Sequence, residues 1–188
     1  MQLATFVAHV EIKFSIGSED ECVHAVIVIG ALDIGEKHLG RAVCFVKEIV
    51  PRWAIAAVAR GLYGEPYECW SMDHERTERT VAYRWSKGGR NNSLSVEIDE
   101  SIGVPPEGSH GEFIIEHYWG YTGRGNGRVD EYRVEHPKWE LFSVKNERID
   151  VDFGAVYGSE FAFLADERPF SVLLAKGSEV AVYKGKQI

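Results

Sequence analysis

Carboxylates and histidines in the middle of the chain have a spacing that could support acid–base chemistry. Glu112 and Glu116 are four residues apart, so both would share one face of a helix, where like charges can raise the pKa of one carboxyl group. Ser109 three residues before Glu112 also forms a capping-box pattern, and a solvated or ion-paired Glu116 is an equally ordinary arrangement. The spacing therefore permits general acid–base catalysis without requiring it.

The same region holds the densest set of possible metal ligands. These residues lack the HExxH or His-x-His spacing of metal sites, so ordinary surface or core histidines explain them better. We predict neither a metal nor a cofactor, and a metal-dependent lyase or hydrolase is the weakest alternative. The residues considered are His110, Glu112, Glu116, His117 and His136.

Isolated charged residues on predicted strands offer further possibilities. Glu11 lies on the less apolar face of the first strand, which either lines a cavity or meets solvent. Arg84 lies between two aromatic residues, where a guanidinium binds a ligand carboxylate or stacks on the rings. Lys13 and Lys87 could each form a Schiff base with a carbonyl substrate, although Lys87 beside two glycines is more simply a turn residue.

Two other candidate sites receive little support. The glycine-rich sequence Gly123–Arg128 could bind an anion, but it follows a predicted helix instead of joining a strand to a helix N-terminus, so a dinucleotide site is rejected and a hairpin turn is favoured. Neither a Gly-x-Ser-x-Gly sequence nor a cysteine in an electropositive setting is present. Serine or thiol hydrolysis therefore has no positive support.

Composition restricts the class of protein. The chain has 188 residues, 45% of them hydrophobic, and a formal charge of −8 with scattered basic residues, which favours one domain over residues 1–188 and disfavours nucleic acid as a partner.

The N-terminus has no basic leading region, and the longest apolar run, residues 25–32, is far below the roughly 20 residues of a membrane helix. Three cysteines without a Cys-x-x-Cys pair fit a cytoplasmic location. We expect a small-molecule ligand and no membrane partner, and a homo-oligomer stays open.

Hydrophobic periodicity predicts a mainly antiparallel β domain (α+β) with two or three short helices. A proline at the start and a glycine at the end mark the first helix. Alternation predicts strands at 5–15, 23–29, 41–49, 66–72, 80–86, 94–98, 129–136, 139–144, 149–153 and 180–183, and helical spacing predicts helices at 51–63 and from 109 to about 123.

Two ordered blocks resemble a known family. Val43 to Met72, VCFVKEIVPRWAIAAVARGLYGEPYECWSM, resembles the strand, helix, Gly-x-Pro-Tyr and strand block of the family called domain of unknown function 2071. Phe113 to Phe142 is similar to its second signature, an acidic-basic-Tyr helix followed by a hairpin and a His-x-x-Trp-x-Leu strand. The section before Val43 is shorter than is usual in the family, so we expect one barrel wall or entrance to differ.

That family is similar in turn to acetoacetate decarboxylase. This likeness implies a curved antiparallel barrel or cone with helices outside and a central ligand cavity. A pocket lysine of the decarboxylase forms a Schiff base, but here Tyr67 stands where a lysine follows the proline, and Thr80 to Ser86 contains Arg84 and no lysine. The resemblance therefore argues against the Schiff-base mechanism, and it matches Glu11 to a carboxylate that points into the cavity.

The second signature implies the remaining site residues. Glu116, Tyr118, His136 and Trp139 fall on it, whereas His117 stands in place of its usual arginine, which would make an anion preference depend on pH.

The leading hypothesis is a protein that binds a small carboxylate- or carbonyl-bearing metabolite. Arg84 would hold the anion and Glu116 or His136 would exchange a proton, with lyase-like turnover left open. The alternative is a non-catalytic ligand-binding or interaction module. The expected substrate-binding residues are Arg84, Glu11, Tyr118, His117 and Trp139, and the expected catalytic residues are Glu116 and His136.

Overall fold

A computed structural model of the protein describes residues 11–16, 23–31, 42–125, 127–169, 171–175, 177–178 and 180–188. The strands are β1 (Glu11–Ile16), β2 (Val23–Ala31), β3 (Ala42–Val50), β4 (Tyr67–Cys69), β5 (Met72–Arg76), β6 (Thr80–Lys87), β7 (Arg90–Gly103), β8 (Trp119–Gly125), β9 (Arg128–Glu135), β10 (Leu141–Asp150), β11 (Leu173–Ala175), β12 (Ala181–Val182) and β13 (Lys186–Gln187). The helices are α1 (Trp53–Val58), which continues as a π-helical turn (Ala59–Tyr63), α2 (His110–Ile115), α3 (Phe153–Tyr157) and a 3-10 helix (Ser159–Asp166).

The described strands form one curled sheet in the order β12-β9-β8-β3-β2-β1-β11-β10-β7-β6-β5, with β13 on β9 and β4 on β3. Most neighbours are antiparallel, and the parallel pairs are β1 with β11, β3 with β4 and β3 with β8. The curled, mainly antiparallel half-barrel with a few short helices confirms the predicted fold class. That residues 1–188 form a single domain stays a prediction.

Most predicted elements are present with shifted ends. The opening β1-β2-β3 meander is antiparallel as expected, while residues 5–10 lie outside the described part of the chain. The first helix ends at Gly64, whose φ of 71° is the left-handed conformation expected of a C-terminal glycine. The β6–β7 hairpin turns at Gly88 and Gly89, both with positive φ.

Two of the shorter element predictions are wrong in part. Residues 66–72 form two short strands, β4 and β5, instead of one. Strand β10 ends at Asp150, and Asp152 then caps α3 by accepting a hydrogen bond from the Ala155 amide, because an aspartate before a helix satisfies a free N–H group.

The largest difference concerns the predicted helix from residue 109 to about 123. Ser109 caps α2 as expected, by accepting from the Glu112 amide. However, α2 ends at Ile115, Glu116 has left the helical conformation (φ −94°, ψ 65°), and Trp119 begins β8. Glycines weaken a helix while β8 gains hydrogen bonds to both β9 and β3, so tertiary pairing overrides the helical periodicity.

Two groups of buried apolar residues form the core. On β6 the side chains of Val81, Tyr83 and Trp85 are buried while Arg84 is exposed, which is the period-two pattern of a strand with one face on the core. The larger group joins this face to α3 and the 3-10 helix, and the smaller one lies under α2. The smaller group contains Ile114, Ile115, Leu141 and Ala175, and the larger one includes Ile49, Leu94, Val96, Phe153, Val156, Leu164 and Leu174.

Across the described residues, the helices are all too short or too polar to cross a membrane.

Two leucines in different environments test this core. Leu94 is 2% exposed within the larger group, whereas Leu62 is 67% exposed. We expect Leu94→Ala to lower the free energy of unfolding by about 2–5 kcal/mol, because it removes buried methyl groups and leaves a cavity. We expect Leu62→Ala to change it by no more than about 0.5 kcal/mol. Equilibrium urea unfolding measures both, and equal losses would contradict the assignment of the core.

Candidate functional site

A cavity of about 570 Å³ lies between strands β3, β8 and β9, the α1 helix with its π-helical turn, and the segment that contains β12. Its lining is predominantly apolar and aromatic, with a small number of ionisable side chains. The described lining residues are Phe45, Glu48, Ala54, Ile55, Val58, Ala59, Tyr63, Glu65, Tyr67, Ile115, His117, Trp119, Gly120, Tyr132, Val134, His136, Trp139, Val180 and Val182.

The helical wall of the cavity is attached to the β8–β9 hairpin through Arg124. Its Nη2 donates to the Leu62 carbonyl at 2.6 Å, and its Nε binds the Asp130 carboxylate at 2.6 Å. A Cβ at Gly64 would collide with this guanidinium, so the glycine allows both the left-handed turn and the close approach of Arg124. The arginine thus fixes the end of the π-helical turn that carries Tyr63.

Three stacked rings lie at one edge of the cavity, and two of them, His136 and Trp139, line it. The His136 imidazole stacks on Tyr118, with centroids 4.9 Å apart, and on Trp139, with centroids 4.2 Å apart. Trp139 Nε1 donates to the Ser178 hydroxyl at 2.7 Å, which fixes the indole. Stacking and this hydrogen bond hold the imidazole plane in one orientation.

Hydrogen bonding also determines the neutral tautomer of His136. Its Nδ1 lies 2.9 Å from the Pro137 carbonyl oxygen, and a carbonyl can only accept, so Nδ1 carries the hydrogen. The neutral ring then presents Nε2 as an acceptor. This side chain can accept a proton or a hydrogen bond from a ligand.

Tyr118, the ring of the stack farthest from the cavity lining, also pairs with a carboxylate. The Tyr118 hydroxyl donates to Glu116, which is buried. Burial, and then the Glu116 carboxylate that accepts this hydrogen bond, raise the pKa of Tyr118 to about 12. The phenol therefore keeps its proton near neutral pH. Neither residue belongs to the described lining, and Tyr118 contacts that wall through His136.

A second set of ionisable residues lines the cavity on its β3 side. Glu48 and Glu65 are 3% and 5% exposed. The Thr122 hydroxyl donates to Glu65 at 2.6 Å, and Tyr132 also hydrogen-bonds it. Burial raises the pKa of Glu65, and the two hydrogen bonds and the charge of Arg124 oppose that rise.

Tyr67 joins the two carboxylates. It hydrogen-bonds Glu48, and burial together with Glu48 raises its pKa well above the usual value. This acidic face was not predicted from the sequence. The available signals were the Lys47-Glu48 pair within the otherwise apolar strand β3 and the Glu65-Pro66-Tyr67 sequence.

The structure brings together five of the predicted site residues. His117, His136 and Trp139 line the cavity, and Glu116 and Tyr118 are adjacent to His136 through the contacts above. The functional roles predicted for these residues stay predictions.

The structure does not bring Arg84 to the cavity. It lies on the exposed face of β6, where its Nη2 is 3.4 Å from Glu75. Glu11 pairs with Val28 in the β1–β2 ladder, and its side chain lies outside what the structure describes. Lys87 lies 3.4 Å from Glu68, away from the described lining.

Within the described ranges, no group of three or more histidine, cysteine, aspartate or glutamate side chains could hold a metal ion. The described lining offers hydrogen bonding, proton exchange at His136 and interaction with carboxylates and aromatic rings.

Comparisons with known proteins agree with the architecture. A family model described as an uncharacterised conserved protein matches residues 34–179. A search of curated proteins finds no match. The crystal structure of acetoacetate decarboxylase from Legionella pneumophila is similar, with a TM-score of 0.57 and 10% sequence identity over 89% of this chain and 67% of that one. At this identity the likeness shows the fold alone.

Removing one hydroxyl tests the Tyr118–Glu116 pair. We expect Tyr118→Phe to lower the free energy of unfolding by about 1–3 kcal/mol, because the buried Glu116 loses a hydrogen-bond donor. Tyr183 donates to Glu135 at an exposed position, so Tyr183→Phe is the matched control and should leave the free energy of unfolding nearly unchanged. Urea unfolding compares the two variants, and equal effects would contradict a buried pair.

The raised pKa of Glu65 predicts a dependence of stability on pH. The folded protein retains the Glu65 proton over a pH range in which the unfolded chain has lost it, so this residue stabilises the fold most below its unfolded pKa and less as pH rises. Glu65→Gln has no such proton to lose. We expect the free energy of unfolding of the wild type minus that of Glu65→Gln to fall as the pH rises from the usual glutamate value of 4.5 towards neutral. Urea titrations across this range measure the difference, and a rise with pH would contradict the assignment.

Proposed function

We propose that this chain, which belongs to the domain of unknown function 2071 family of uncharacterised conserved proteins, binds a small organic molecule in the cavity between β3, β8, β9 and α1. The observation that carries the proposal is the cavity itself, with its volume of about 570 Å³ and its largely apolar and aromatic lining. Sites for small ligands have volumes of roughly 300–1,000 Å³ and combine an apolar wall with a few polar groups.

The described lining supports a ligand with an apolar body and one polar end. Ile55, Val58 and Val134 provide aliphatic surface, and Trp119 and Trp139 provide aromatic surface. Burial of apolar ligand area against such side chains is the main source of affinity. The expectation of a carboxylate held by Arg84 has no support from the cavity, since Arg84 lies on the exposed face of β6.

Proton exchange on a carbonyl-bearing ligand is a second candidate function. It is favoured by one observation, the tautomer of His136, whose Nε2 is an acceptor in a side chain that lines the cavity. An imidazole in that state can remove a proton from a carbon next to a carbonyl group. The alternative without turnover is a binding module that uses the same cavity.

Two substitutions on one helix test the binding proposal. Ala54 lines the cavity, whereas Ala57 is exposed on the same helix and is not part of the described lining. With the neutral fluorescent probe N-phenyl-naphthylamine, we expect saturable binding by the wild type. Ala54→Trp should weaken it by about tenfold or more, since the indole occupies ligand space.

Ala57→Trp is the matched control and should bind the probe as the wild type does. Fluorescence titration gives the dissociation constants. Absence of saturable binding by the wild type, or unchanged binding by Ala54→Trp, would contradict the proposal.

Proton exchange has a separate test. We expect the protein to accelerate deuterium incorporation next to the carbonyl of butanone, followed by NMR, and His136→Gln to abolish the acceleration because the base is lost. His74 is exposed on β5, so His74→Gln should retain it. Incorporation at the rate of buffer alone would leave the chain as a binding module.

A further inference from the structure

Resting on the proposed function, we infer that the ligand is a small organic cation, whose positively charged nitrogen faces Glu48 and Glu65 while its apolar groups contact the aromatic wall. The inference concerns the class of ligand and depends on the charges, hydrogen-bond directions and rings that surround the cavity.

The described lining contains acidic side chains. Glu48 and Glu65 both line the cavity and both are almost fully buried. The described lining residues include no lysine and no arginine. Arg124 acts on Glu65 through its charge, but its guanidinium is held by Asp130 and the Leu62 carbonyl. Buried carboxylates are costly, and a cation in the cavity would offset part of that cost.

The directions of the hydrogen bonds leave the lining rich in acceptors. The Tyr63 hydroxyl donates to the Val182 carbonyl at 3.3 Å. Tyr67 and Tyr132 direct their hydroxyls to Glu48 and Glu65, and a carboxylate can only accept. These phenols therefore donate their hydroxyl hydrogens to protein groups. What they offer a ligand is oxygen lone pairs and ring faces, which favour a hydrogen-bond donor or a cation.

The rings supply a second attraction. The cavity is lined by the aromatic side chains of Tyr63, Tyr67, Trp119, Tyr132 and Trp139. The face of each ring carries partial negative charge, and a cation within about 6 Å of a ring centre gains about 0.5–2 kcal/mol per contact depending on its desolvation. A ligand with an ammonium group thus uses both the carboxylates and the rings, whereas a carboxylate ligand would be repelled by both.

Matched probes that differ in charge test the ligand class. Benzyltrimethylammonium, its neutral carbon isostere neopentylbenzene, and the anion phenylacetate each compete with N-phenyl-naphthylamine for the cavity. We expect the cation to displace the probe at about one tenth of the concentration that the isostere needs, which corresponds to one tenfold step in affinity. Phenylacetate should be the weakest competitor.

Neutral variants identify the groups responsible. In Glu65→Gln and in Glu48→Gln, we expect the advantage of the cation over neopentylbenzene to fall by about threefold to tenfold. Comparing the cation with the isostere in the same variant separates the loss of charge from any change in the shape of the cavity, and saturable binding of the fluorescent probe shows that each variant has folded. Glu131 is a buried carboxylate outside the described lining and is paired with Lys186 at 2.9 Å, so Glu131→Gln is the matched control and should keep the full advantage.

The outcomes separate this inference from the proposed function. Three results would overturn the inference: equal competition by the cation and the isostere, stronger competition by phenylacetate, or a cation advantage that survives in both Gln variants. In each of these cases, saturable binding of the fluorescent probe would still support the cavity as a binding site. Failure of the fluorescent probe itself to bind would overturn both.

Discussion

The pairing of β8 with β9 along one edge and with β3 along the other is the constraint on which the cavity depends. It places β3 beside the β8–β9 hairpin, which lies far from β3 in the sequence, and all three strands contribute to the lining. Gly120 on β8 makes the arrangement possible, because any Cβ there would overlap the Tyr132 ring on β9. The absence of a side chain allows this phenol to lie over the strand and to reach Glu65. Gly120 therefore allows both the pairing of β8 with β9 and the hydrogen bond between Tyr132 and Glu65.

The cavity combines two arrangements with opposite energetic consequences. Stacked rings and aliphatic side chains stabilise the fold when they are buried, whereas carboxylates oppose burial and need partners. The structure supplies those partners as hydroxyl groups, from Tyr118 to Glu116, from Tyr67 to Glu48 and from Thr122 to Glu65. A hydroxyl satisfies a lone pair without cancelling the charge, so the site keeps an acidic character in a setting of low polarity.

The likeness to acetoacetate decarboxylase concerns the fold, whereas the chemistry of the cavity follows from the side chains that line it in this chain. A phenol, Tyr67, lines the cavity beside Glu48, and its described neighbours are acids and aromatic rings. The described lysines near this region are directed elsewhere, since Lys47 and Lys87 both pair with Glu68. At 10% sequence identity the likeness carries the fold and not the lining of the cavity, because side-chain identity at a few inward positions determines what a cavity binds.

Local patterns in the sequence determined the strands of the β1–β3 meander and the β6–β7 hairpin, the first helix with its terminal glycine, and the cap at Ser109. Each of these depends on side-chain alternation, helical spacing or glycine chemistry within a few residues. The second family-like block also contained the Tyr118, His136 and Trp139 positions that the structure stacks together. Only the tertiary structure decided that β8 is a strand, that Arg84 faces away from the cavity, and that Glu48 and Glu65 meet on one wall. Those outcomes depend on which distant strands pair and which face of each strand closes on the cavity, and neither is encoded in the periodicity of a single segment.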